Sequence, residues 1–62
     1  MLIERRIYRV TKTFQAIGGR IFKPGETLYW DGVENDPVTF EVDTVPFEAR
    51  LEEFLASVQI AE

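Results

Sequence analysis

Carboxylates dominate the reactive side chains of this sequence, and their spacing assembles no reaction centre. Glu41 and Asp43 fall on one face of an extended segment, and Glu52-Glu53 stand beside an apolar run. Both pairs read as solvated surface acids. Asp31, Glu34 and Asp36 share a glycine-containing loop, which raises calcium, but the twelve-residue loop with its closing Glu is missing. Gly18-Gly19 has neither the GxxxxGK[ST] nor the GxGxxG spacing of a phosphate cradle. Histidine and cysteine are absent, which removes Ser-His and Cys-His nucleophile pairs, thiolate zinc sites, haem and iron–sulfur ligation, and disulfides. A general base would have to be a carboxylate or a lysine with a strongly shifted pKa. The expectation is a protein that is not an enzyme, with no catalytic residue, cofactor or metal.

Recognition is the chemistry that remains. Tyr29 and Trp30 are adjacent, so on a strand they face opposite ways. Trp30 is expected inward with Leu28, leaving Tyr29 at the rim. Aromatic and arginine side chains are enriched at interface hot spots. Tyr29 is therefore the candidate partner anchor. Arg5 and Arg9, on one face of the first strand, and Arg20, across the hairpin, are expected to complete its patch.

The net charge of −4 conceals an asymmetry: residues 1–25 sum to +5 and residues 26–62 to −9. Opposite halves can pair across a sheet, or leave one basic and one acidic face that steers charged partners. A pI near 4.7 argues against generic nucleic-acid binding, since phosphate contacts need a dominant positive field. Sixty-two residues make a single domain over 1–62, with a small core that pairing with a second copy would support. Apolar residues are 45% of the chain, enough for a globular core. No apolar run approaches the ~18 residues that span a bilayer, and the N-terminus lacks a signal-peptide pattern. A cytoplasmic protein with no membrane association is expected.

These side chains must be positioned mostly by strands. Residues 4–17 hold β-branched and aromatic residues without glycine or proline and read as a long first strand. Its imperfect alternation calls for a bulge or twist near Ile7-Tyr8 or Thr13-Phe14. Gly18-Gly19 suits a two-residue hairpin turn, and Pro24-Gly25 suits the centre of a type II turn. Residues 26–31 resume as a strand, and a loop of turn formers runs to Pro37. Val38, Phe40 and Val42 then alternate strictly with Thr39, Glu41 and Asp43. Beyond Thr44 two readings compete. Phe47, Leu51, Phe54, Leu55 and Val58 share one face of a helix over 46–60, which would cap a three-stranded antiparallel sheet. Alternatively residues 45–49 pair back, 51–56 make a short helical turn, and 57–61 close the sheet.

The segment Lys23-Pro24-Gly25-Glu26-Thr27-Leu28-Tyr29-Trp30 resembles the KxGDxLxV turn-plus-strand of SH3-like small barrels. Leu51-Glu52-Glu53-Phe54-Leu55-Ala56-Ser57-Val58 resembles the helical turn leading into their last strand, and many short bacterial and phage proteins share this order. The resemblance spans most of the chain and implies a mainly β, five-stranded barrel. The ALYDY-like cluster of proline-peptide-binding SH3 domains and the glycine-centred KOW signature are both missing, so it assigns no functional residue. Two functions are expected to compete. One is a non-enzymatic module or subunit binding another protein or its own copy, as a homodimer. The other is a nucleic-acid-related protein, either an acidic mimic of a phosphate backbone or a weak binder through the basic N-terminal hairpin.

Overall fold

A computed structural model describes residues 6–61. In order they form β1 (Arg6–Val10), β2 (Phe14–Gln15), β3 (Ile21–Phe22), β4 (Thr27–Trp30), β5 (Val38–Val42), β6 (Val45–Ala49), α1 (Leu51–Ser57) and β7 (Val58–Ile60). Five strands build one antiparallel sheet in the order β6-β5-β4-β1-β7, and β2 with β3 forms a separate two-stranded ribbon. The chain is mainly β. Among the described residues β6 and β7 end the large sheet without pairing to each other.

The core lies between one face of the large sheet and a cover made of the ribbon and α1. From the sheet come Val10, Leu28, Trp30, Val38, Phe40 and Ala49; the cover adds Phe14, Ala16, Phe22 and Phe54. Period-2 alternation puts Leu28 and Trp30 on one side of β4, and Val38 and Phe40 on the same side of β5. Aromatic rings dominate the contacts. Phe54 meets Phe40 at 5.0 Å and Trp30 at 5.0 Å between centroids, and Phe22 meets Phe14 at 5.3 Å and Phe40 at 5.5 Å. Ring pairs at such distances add about 0.5–1.5 kcal/mol each beyond area burial. They give a short chain much of its cohesion.

The long first strand expected over 4–17 is broken. Glu4 and Arg5 lie outside the described residues, and β1 and β2 are separated by a bend at residues 11–13. The cause is the end of α1: the Thr11 and Lys12 backbone N–H groups both donate to the Ser57 carbonyl, at 2.8 and 3.3 Å. A helix leaves its last carbonyls unsatisfied, and here the bend satisfies one. Val10, Phe14 and Ala16 stay buried while Lys12 turns out to solvent.

The expected two-residue Gly18-Gly19 hairpin is a three-residue loop over 17–19. Ala16 N–H donates to Arg20 O, and Gly19 N–H to Ala16 O, so Ile17 joins the turn. Both glycines hold φ beyond +100°, where side chains clash. The Pro24-Gly25 turn is as expected, with Glu26 N–H donating to Lys23 O at 3.2 Å and Gly25 at φ +98.

The helix over 46–60 and the three-stranded sheet are both replaced by the strand–helix–strand reading. Residues 45–49 pair along β5, with Phe40 opposite Phe47 and Val42 opposite Val45. α1 covers seven residues, and β7 pairs with β1, Val58 opposite Val10. Pro46 has no N–H, and it lies on β6, whose other side carries no strand among the described residues; edge strands tolerate proline there.

Candidate functional site

β4 is the middle strand of the sheet, and it carries Leu28 and Trp30 into the core. Trp30 is 5% exposed and Tyr29 47%. Tyr29 thus stands on the outer face of the sheet, with Ile7 of β1 opposite on one side and Glu41 of β5 on the other. Ile7 is itself 37% exposed. Water is in contact with an apolar pair at the centre of the sheet, where both flanking strands hold the backbone rigid.

Arg9 lies one step along β1 on the same outer face, opposite Thr27 of β4 and Gln59 of β7. On the far side of Tyr29 the tight turn between β5 and β6 completes the surroundings. Asp43 and Thr44 hold φ +51 and +66, so the hairpin reverses in two residues. This is the primed type of turn, which matches strand twist and usually takes Asn-Gly or Asp-Gly. Tyr29, Glu41, Asp43 and Thr44 line a shallow depression of about 450 Å³. The face is polarised, with Arg9 on the β1 side and the carboxylates on the β5 side. Neither Arg9 nor the Asp43 carboxylate makes an ion pair among the described residues.

Arg20 does not join this surface. Its guanidinium lies 4.8 Å from the Phe22 ring centroid and 5.4 Å from that of Phe47, rings on the core side of the sheet. It also faces Glu26 at 3.6 Å. The arginine covers aromatic surface on the side opposite Tyr29. Arg5 lies outside the described residues. Of the expected patch, the structure brings together Tyr29 and Arg9. Ile7, Glu41, Asp43 and Thr44 join them, and the signal for them was register: with Tyr29 outward, its cross-strand neighbours share its face.

The loop acids are engaged locally. Asp31 Oδ1 accepts from Val33 N–H at 3.0 Å, and Asp36 Oδ1 accepts from Leu51 N–H at 3.2 Å and faces Arg50 at 3.5 Å. No group of three or more metal-ligating side chains occurs among the described residues. A second cleft, of about 610 Å³, separates the ribbon from α1, with Lys12 on one wall and Glu52 and Glu53 on the other. No helix among the described residues is long and apolar enough to cross a membrane. Comparison with protein-family models, curated proteins and solved structures returned no match.

Proposed function

We propose that the chain is a cytoplasmic, non-enzymatic protein-interaction module on an SH3-like barrel scaffold, and that its outer sheet face binds a protein through Tyr29. The observation that carries this reading is the 47% exposure of Tyr29 at the centre of the five-stranded sheet, beside exposed Ile7. A tyrosine offers large contact area with only two side-chain torsions to fix, and its hydroxyl stays satisfied by water or by a partner. The barrel reading is supported by the Ile17 N–H, which donates to Glu48 O at 2.8 Å and draws the ribbon against the β6 edge. It is supported too by the placement of α1 directly before the last strand.

Affinity capture from the source cells tests the reading, using the wild-type chain and the Tyr29→Ser and Ile21→Ser variants as baits. Ile21 is equally exposed but lies on the ribbon. A partner held by wild type and Ile21→Ser should be lost with Tyr29→Ser, by roughly 30-fold or more in affinity for an anchor worth ~2 kcal/mol. A partner retained equally by all three removes Tyr29 from the reading.

A further inference from the structure

We infer that the occupant of the outer sheet face is a second copy of the chain, docked face to face about a two-fold axis that runs along β4. The inference rests on the reading that this face binds protein, and it adds the identity of the partner. A two-fold interface presents the same patch twice, so the patch must complement itself. This one does so through its charge order. Across the sheet, Arg9 lies on the β1 side of β4, and Asp43 and Glu41 lie on the β5 side.

Two placements of the axis bring the faces together with strands aligned, as packed sheets prefer. An axis across the strands sets β1 over β1 and β5 over β5, facing like charge with like. An axis along β4 sets β1 of each copy over β5 of the other. Tyr29 then meets Tyr29 at the centre, and each Arg9 approaches Asp43 of the second copy. The depression beside Tyr29, about 450 Å³, gives the incoming guanidinium room between Glu41, Asp43 and Thr44. The ion pairs form twice by symmetry and flank an apolar centre that includes Ile7. Opposed charges thus choose between two dimers that the apolar centre alone would allow equally. The face of so small a chain falls in the class of small, transient contacts, so association is sought around a dissociation constant on the order of 100 µM.

Charge reversal tests this by sedimentation equilibrium between about 10 µM and about 1 mM, a range that brackets that affinity, with circular dichroism as the check of folding. Wild type should move from the 7.2 kDa chain mass toward twice that value. Arg9→Glu and Asp43→Lys should each associate at least about tenfold more weakly, because each creates two like-charge contacts. An equimolar mixture of the two should recover association, since every facing pair is again opposite in sign. Asp43→Asn, which tolerates a positive φ, should weaken the dimer without disturbing the turn. Three outcomes overturn the inference: a monomer throughout, association that no reversal changes, or a mixture no better than its components. A monomeric chain that still captures a host protein through Tyr29 overturns the dimer and leaves the binding face standing. A monomer with no Tyr29-dependent capture removes both.

Discussion

At Thr44 a β-branched side chain sits at φ +66, where its γ atoms crowd the backbone. Such a residue is a genuine outlier in this region, and the strain is of order 1–3 kcal/mol. Aspartate followed by glycine is among the preferred fillings of this turn, and Thr44→Gly would supply that pair. Added freedom of glycine in the unfolded chain offsets part of the relief. The expected net gain is roughly 0.5–1 kcal/mol, a rise of about 4 °C in the thermal midpoint; a midpoint that falls would show that Thr44 is held by contacts worth more than its strain. Gly25 illustrates the reverse. A Cβ added there meets nothing within 4 Å, yet φ is +98. Gly25→Ala should therefore lose about 1 kcal/mol by conformation alone, seen as a lower urea midpoint with an unchanged m-value. Strained turns gather at functional surfaces in many proteins, and Thr44 borders the depression beside Tyr29. Thr44→Gly also asks whether that edge of the face must be rigid.

Among the elements, α1 depends most on its neighbours. Seven residues are too few to hold a helix in water. Its N-cap residue, Arg50, makes no side-chain cap; Asp36 Oδ1 accepts from the Leu51 N–H instead, and Glu52 and Glu53 suit the positive end. Phe54 holds it, fully buried against Trp30, Phe40 and Phe14. Phe54→Ala should cost about 3–5 kcal/mol, most of the stability of a domain this size. Trp30 emission would report the loss as a red shift at low urea, and a variant with an unchanged midpoint would contradict this account of the helix. The same element shows what could be read in advance. Strict alternation at Val38, Phe40 and Val42 marked β5, and Pro24-Gly25 marked its turn, because each signal is local. Phe47, Leu51, Phe54 and Val58 satisfied a helix face and a strand–helix–strand path equally well. Pairing of β7 with β1 decided between them, and that contact is remote in sequence. Imperfect alternation called for a bulge or twist near Ile7-Tyr8 or Thr13-Phe14; the bend lies at residues 11–13, a place set by the carbonyl that Ser57 offers there. At the site, the outward turn of Tyr29 followed from the chain alone. The displacement of Arg20 did not, since it depends on Phe47, twenty-seven positions later, reaching the same ring cluster.

For the molecule as a whole, the distribution of charge matters more than its sum. Three basic residues of the first half are dispersed: Arg9 lies on the outer face, Arg20 over the rings of the opposite side, and Lys12 in the cleft that Glu52 and Glu53 also line. Counterion release from nucleic acid needs several cations tracking one backbone. With a net charge of −4, no affinity for generic DNA or RNA is expected at physiological salt, and a salt-sensitive titration curve would contradict this. The same dispersal leaves Arg9 and Asp43 on the outer face without an ion pair among the described residues, so a second molecule can supply the opposite charge to each. That couples association to stability. Where the unfolded chain cannot dimerise, each tenfold rise in concentration above the dissociation constant stabilises the folded protomer by about 0.7 kcal/mol. For a chain of this length that corresponds to roughly 5 °C in the thermal midpoint. Wild type should show this rise between about 0.1 and 1 mM, and Arg9→Glu should be nearly flat over the same range. Scanning calorimetry at several concentrations measures both. A flat wild-type midpoint would mean that the small aromatic core stabilises the fold alone, whereas parallel slopes in the two proteins would place the association somewhere other than the face around Tyr29.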